Sequence, residues 1–181
     1  MTKLSVIVPV LNEVASLPEL CDHLMFLSCQ GAEVIVVDGG SEDGSADLIE
    51  RMGFQLIRAP RGRALQMNVG AAAASGEVLL FLHADTRLPP SALQLVDGQV
   101  KSALAWGRFD VVIEGRSAML KVIAWLMNRR SRITGIATGD QAQFMTRAAF
   151  DAVGGFPQQP LMEDIEISCR LRRLVPPICL T

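Results

Sequence analysis

The sequence predicts an α/β fold: a mostly parallel sheet flanked by helices, in a single domain. Three observations predict it. Strand-like and helix-like segments alternate four times between Leu4 and Leu82, which is the rhythm of βαβ units. The run from Val78 to Leu82 is apolar without alternation, as suits a central parallel strand covered on both faces. That run then ends abruptly in His83-Ala84-Asp85, and ligands of open α/β sheets bind just beyond the carboxyl ends of the strands. A chain of 181 residues is long enough to bury a sizeable core without disulfides or a structural metal.

Taken in order, Leu4 to Leu11 reads as the first strand. Together with Met1-Thr-Lys it has the look of a short leader, but Pro9, Asn12 and Glu13 interrupt it and no small-residue cleavage site follows. Ser16-Leu-Pro-Glu19 has the pattern of a capping box with an early proline, opening a helix that runs to about Cys29. Gln30-Gly31 ends that helix before a second strand, Glu33 to Asp38. Gly39 to Ser45 is a tight polar turn, Ala46 to Met52 a short helix, and Phe54 to Ala59 a third strand after Gly53. Ala64 to Ser75, rich in alanine, is a third helix, and the apolar run follows. The first half is Rossmann-like.

After Pro89-Pro90 the pattern predicts a helix from Ser91 to about Ala103 and a strand from Trp106 to Ile113. Ala118 to Met127 is apolar nearly all round. Gln141 to Met145 reads as a strand, Ala148 to Val153 as a helical turn stopped by Gly154-Gly155, and Met162 to Leu174 as the final helix.

The net charge of −2 and pI near 5.7 give no global sign of nucleic-acid binding. The four cysteines form no Cys-x-x-Cys pair and are too sparse for a disulfide scaffold, so a reduced, cytoplasmic protein is expected. No stretch approaches the roughly 18 apolar residues that span a bilayer. With 50% hydrophobic residues and a mean hydropathy of +0.31, the composition still points to a partner, a dimer or a membrane face. Arg116, Lys121, Arg129, Arg130 and Arg132 surround the apolar run 118–127, and no acid lies between Gly115 and Gly139. That is either a helix on an anionic membrane surface, at the inner face of the membrane, or one packed in a homodimer interface or against the sheet.

Several residues can carry chemistry. Asp38 ends the second strand before two glycines and is either an acceptor for a base or ribose, or a turn-forming Asx residue. Asn12 and Glu13 sit at the matching rim of the first strand, as ligands or as plain polar loop. Arg61 and Arg63 precede the alanine-rich helix, where cations face the positive end of the helix dipole at roughly 0.3–1 kcal/mol each. A diphosphate on that N-terminus would relieve them. His83 and Asp85, two apart, form a pair able to hold a divalent ion; oxygen-rich sites suit Mg2+ or Mn2+, and Mn2+ tolerates an imidazole better. Glu163 and Asp164 open the last helix after the loop Phe156–Leu161. They either cap it or place a carboxylate that can take a proton from a hydroxyl nucleophile.

With these residues assembled, the chain resembles the family-2 glycosyltransferases of GT-A fold, in particular a small bacterial subgroup. The resemblance covers nearly the whole length. It rests on an ordered set of motifs: Ser5-Val-Ile-Val-Pro9-Val-Leu-Asn12-Glu13, Val36-Val-Asp38-Gly-Gly-Ser-Glu-Asp-Gly-Ser45, Gly62-Arg63-Ala-Leu-Gln-Met-Asn68, Leu82-His83-Ala84-Asp85-Thr86, Gly154-Gly-Phe156 and Glu163-Asp164. It implies a single GT-A type domain in which residues 1–88 bind a nucleotide sugar and 89–181 face the acceptor. Pro9, Asn12, Glu13, Asp38, Arg61, Arg63, Asn68 and Ala84 would hold a UDP- or GDP-linked donor. Asp85, with His83, would hold the metal on its diphosphate. Asp164 would be the base of an inverting transfer, and Gly139, Asp140 and Glu163 would lie on the acceptor side, with an acceptor that is unknown or lipid-linked.

The chain departs from the family pattern in two places. His83 stands where the metal motif commonly has an acid. Members also usually continue past the final helix with a further strand and helices, whereas Pro176 to Thr181 is all that follows here. A non-catalytic nucleotide-sugar-binding domain is therefore the alternative expectation. A sugar-nucleotide pyrophosphorylase or an NAD-dependent enzyme is not expected, because Asn12-Glu13 stand where either would need a glycine-rich phosphate loop.

Overall fold

The structure is a computed structural model that describes residues 2–159 and 161–181; Met1 and the Pro160 of the predicted loop lie outside the described residues. The strands are β1 (Leu4–Val10), β2 (Glu33–Asp38), β3 (Gln55–Arg58), β4 (Val78–Phe81), β5 (Trp106–Phe109), β6 (Phe144–Thr146) and β7 (Ile178–Leu180). The helices are α1 (Leu17–Cys29), α2 (Ser45–Arg51), α3 (Arg63–Ala73), α4 (Ala92–Gln99), α5 (Ala118–Thr134), α6 (Arg147–Ala152) and α7 (Glu163–Leu171), with a 3₁₀ turn at Gly139–Gln141. All strands join one sheet in the order β3-β2-β1-β4-β6-β5-β7. β1 to β4 pair in parallel, β6 runs antiparallel to both β4 and β5, and β7 is parallel to β5. The mixed α/β, mostly parallel fold is the one the sequence predicts.

The side-chain period of two splits the central strands between two cores. Val6, Val8, Val10 and Leu80 pack with α1 and α4 on one face, while Ile7, Val37, Leu79 and Phe81 pack with α3, α6 and α7 on the other. Helix α3 lies close on β1 and β2 because residue 70 is glycine: a Cβ there would sit 2.4 Å from the Ile7 side chain.

Four expectations change. The capping box at Ser16 does not form: Ser16 has helical backbone angles, and its hydroxyl turns back to the Glu13 carbonyl (3.0 Å) and carboxylate (2.9 Å), out of reach of the N–H groups ahead. The predicted strand at 141–145 starts later, because Gly139–Gln141 coils into the 3₁₀ turn before β6. The apolar segment is a longer helix, capped by the Ser117 hydroxyl and closed by Gly135 in the left-handed region (φ 68°). A short strand that the sequence pattern did not predict, β7, follows the final helix directly after a double proline and pairs in parallel with β5. No helix among the described residues is long and apolar enough to cross a membrane.

Candidate active site

The carboxyl ends of β1 and β2 are joined by a network of hydrogen bonds between side chains and backbone. Asp38 is buried, and its carboxylate accepts from the N–H groups of Gly40 (3.0 Å) and Ser41 (3.1 Å). It therefore builds the turn of the Asx reading. Asn12, in the left-handed region (φ 55°), donates its N–H to Ser41 Oγ (2.9 Å) and accepts from Glu42 N–H (2.9 Å). The Glu13 N–H donates to Ser45 Oγ (2.9 Å) and the Val14 N–H to Asp43 Oδ2 (2.9 Å). The Ser45 hydroxyl, followed by the Val14 N–H, holds the Asp43 carboxyl below its ordinary pKa. The two loops thus hold one shape, and the loop after β2 borders a cavity of about 280 Å³ lined by Asp38, Ser41, Glu42, Asp47 and Arg58. Pro9 lies near the end of β1, opposite Val37.

Across the sheet, a chain of contacts links three elements at the end of β4. The His83 ring lies against the backbone of Gly139, where a Cβ would come within 2.0 Å of it. Its Nδ1 stands 3.6 Å from Asp140 Oδ1. This imidazole, opposed by burial and assisted by the Arg63 charge, holds the Asp140 carboxyl below its ordinary value. The Gly139 N–H donates to Asp164 Oδ2 at 2.7 Å, and Asp164 Oδ1 accepts from the Ile165 N–H at 2.8 Å. The end of β4, the 3₁₀ turn and the start of α7 thus bring His83, Gly139, Asp140 and Asp164 together, with the Arg63 charge acting on Asp140 from the start of α3. Glu163, beside Asp164, is buried at 5% exposure. Asp85 is exposed, enters no ion pair among the described residues, and accepts from the Thr86 hydroxyl at 3.3 Å. Ala84 is buried and its carbonyl accepts from Arg87, while Arg61 is exposed in the loop before α3.

Two sequence expectations shift. The Asn68 amide spans the Phe156 backbone, accepting from its N–H (2.9 Å) and donating to its carbonyl (2.8 Å); it fastens α3 to the 154–156 loop. His83 directs Nδ1 at Asp140, and no group of three or more His, Cys, Asp or Glu among the described residues gathers closely enough to hold a metal. An ion at Asp85 would have to draw further ligands from a bound molecule or water.

Two buried amides were missed. Gln66 Nε2 donates to the carbonyls of Val10 and Val37, both at 2.8 Å, bridging the ends of β1 and β2. Gln143 Nε2 donates to the carbonyls of Ala137 (3.0 Å) and Asp164 (3.2 Å). Among the described residues, the non-glycine positions with positive φ, Asn12, Ala142 and Met162, border the same rim, where strained backbone often accompanies function. A larger cavity of about 510 Å³, lined by residues such as Gly76, Val78, Lys101 and Arg147, lies at the other end of β4.

A family model described as "Glycosyl transferase family 2" matches residues 5–151. The chain is 26% identical over 182 residues to a beta-monoglucosyldiacylglycerol synthase of Synechocystis sp., covering 88% of this chain and 38% of that protein. It is 34% identical over 124 residues to an undecaprenyl-phosphate 4-deoxy-4-formamido-L-arabinose transferase of Aeromonas hydrophila, covering 60% and 35%. The chain therefore spans little more than a third of these relatives. Among solved structures it is similar to a mannosyltransferase from Pyrobaculum calidifontis in complex with GDP-Man and Mn2+, with a TM-score of 0.76, 22% identity, and coverage of 99% of this chain and 54% of that one. It is also similar to the glucosyl-3-phosphoglycerate synthase from Mycobacterium tuberculosis in complex with Mn2+, UDP and glucosyl-3-phosphoglycerate, with a TM-score of 0.71, 18% identity, and coverage of 99% and 69%. At these identities the structural likeness is one of fold.

Proposed function

The chain belongs to glycosyl transferase family 2, and on that premise we propose that it moves a sugar from a UDP- or GDP-linked donor to an acceptor hydroxyl, with inversion and with Mn2+ or Mg2+. One observation carries the reading: Asp164, Gly139, His83 and Asp140 form one contact chain at the carboxyl ends of the parallel strands, with the Arg63 charge acting on Asp140. Residues 1–88 hold the donor and residues 89–181 face the acceptor.

The nucleoside rests on the rim made by Pro9, Asn12, Glu13 and Asp38, whose loops are already locked in shape and need little ordering on binding. Arg61 and Arg63, at the start of α3, draw the diphosphate to that helix N-terminus. Asp85 is an exposed carboxylate with no competing cation among the described residues, which fits a hard divalent ion that completes its shell from diphosphate and water. Such an ion, when bound, offsets the charge of the departing diphosphate.

Asp164 takes the proton of the attacking hydroxyl. Each of its oxygens accepts one N–H, so the carboxylate is aimed while lone pairs remain for the acceptor. Asp140 and Glu163 line the acceptor side with Gly139, and His83 orients Asp140. The names of the curated relatives, a beta-monoglucosyldiacylglycerol synthase and an undecaprenyl-phosphate 4-deoxy-4-formamido-L-arabinose transferase, support a lipid-linked acceptor.

A thermal-shift panel of UDP- and GDP-sugars, with and without Mn2+, tests the reading. A nucleotide sugar should raise the melting temperature more with the metal than without it, and Asp85→Ala should abolish only the metal-dependent part. No shift with any nucleotide sugar would contradict it.

A further inference from the structure

Helix α5 carries its apolar side outward. Of Ala118–Thr134 only Ala124 and Ser131 are buried, whereas Met119 (62%), Trp125 (56%) and Ile133 (73%) are exposed, as are Val122, Ile123 and Leu126. Helical spacing explains the division: residues 124, 128 and 131 share the sheet-facing side, and 119, 122, 126 and 133 share the opposite one.

The inner side is fastened by polar groups. Asn128 accepts from the Val111 N–H and donates to the Val111 carbonyl, both at 2.9 Å, and accepts from Gln141 Nε2 at 3.3 Å. The buried Arg108 donates to the Asn128 carbonyl (3.2 Å) and pairs with Asp110, which also accepts from Arg132 Nη2 (2.6 Å). This clasp fixes which face of the helix looks away from the sheet.

We propose that the outward face of α5 seats on an anionic lipid bilayer surface, lying in the plane of the interface. Charge complementarity selects that occupant. Arg116, Lys121, Arg129 and Arg130 enter no ion pair among the described residues, Arg132 alone being held by Asp110, and no acid lies from Gly115 to Gly139. In a two-fold dimer through this face, each copy would bring its cations against their counterparts. Anionic lipid offers both phosphate charge and an acyl boundary for the apolar residues. Arg129 lies over the Trp125 ring, 5.3 Å from its centroid, pairing an aromatic ring with a cation at the exposed face, as interfacial anchors do.

At about 1.5 Å per residue the helix is roughly 25 Å long. It ends at Gly135, four residues before Gly139, so seating it brings the acceptor side of the crevice to the lipid. That consequence rests on the lipid-acceptor reading, whereas the docking face does not.

The test is co-sedimentation of the 181-residue chain with vesicles of phosphatidylglycerol and phosphatidylcholine, against phosphatidylcholine alone, at low and high salt. Tryptophan emission is followed in parallel; Trp106 is fully buried, so a blue shift on binding reports Trp125. Binding should require the anionic lipid, weaken with salt, and fall about tenfold or more in Arg129→Glu/Arg130→Glu. The double variant Trp125→Ser/Leu126→Ser, also at exposed positions, should lose the emission shift and bind more weakly. The proposal is overturned by absence of binding to anionic vesicles at low salt, by binding that both variants leave unchanged, or by a wild-type dimer that Trp125→Ser/Leu126→Ser converts to monomer. Donor-induced thermal shifts in vesicle-free buffer report on the transfer reading separately.

Discussion

At the ends of β1 and β2, short side chains and backbone N–H groups stitch two neighbouring loops together, as in the Asn12–Ser41, Glu13–Ser45 and Val14–Asp43 contacts. Beyond β4 single side chains join separate elements: Asp164 reaches Gly139, His83 meets Asp140, and Asn128 clasps Val111. The first region is a pre-shaped shelf held by many short contacts above the buried Gln66 amide. The second is assembled by a few polar groups, each joining segments that would otherwise be free to separate. Substitutions should therefore act on binding and chemistry differently in the two regions.

The sharpest break in the comparison is chemical. Asp164→Asn should slow sugar transfer by about 10²–10⁴-fold, the usual worth of a positioned base, while the donor-induced thermal shift stays near wild type. A matching loss of donor binding would erase the distinction between shelf and crevice.

Stability comes next. Gln66→Ala removes two buried hydrogen bonds, to Val10 and Val37, and leaves a void, at about 2–3 kcal/mol in denaturant unfolding. Asn128→Ala releases the clasp at a half-buried position, at about 1–2 kcal/mol. Because α5 lies outside the donor shelf, nucleotide-sugar binding should survive Asn128→Ala; a lost thermal shift would show that the two regions are coupled.

The smallest effect is acid sensitivity of the stitched loops. The folded-state pKa of Asp43 is depressed, chiefly by the Ser45 hydroxyl. Its stabilising contribution is therefore present above the unfolded value, near pH 4, and fades as pH falls through the lower folded value. Melting curves at successive pH values should show a slightly shallower acid decline for Asp43→Asn than for wild type. A steeper decline would reverse the sign.

The two regions also differed in how far they could be read from sequence. Apolar runs, glycines and helix periodicity placed β1 to β4 and their helices to within a few residues, and the position of Asp38 at a strand end followed from them. β7 escaped because three residues after two prolines carry no period. The nearly all-round apolar run in α5 gave no means of choosing its inner face; the Asn128 clasp makes that choice. Gln66 and Asn68 read as polar positions on a helix because the partners that explain them, Val10 and Phe156, lie 56 and 88 residues away. The motif order still brought His83, Asp140 and Asp164 onto one list, and the fold brings them to one place.

The central claim is that Asp85 and Asp164 serve one crevice in separate roles. Calorimetric titration of a UDP- or GDP-sugar, with Mn2+ present, into Asp85→Ala and Asp164→Asn tests it most directly. Asp85→Ala should lose the metal-dependent affinity and Asp164→Asn should keep it; equal losses, or wild-type binding in both, would contradict the account.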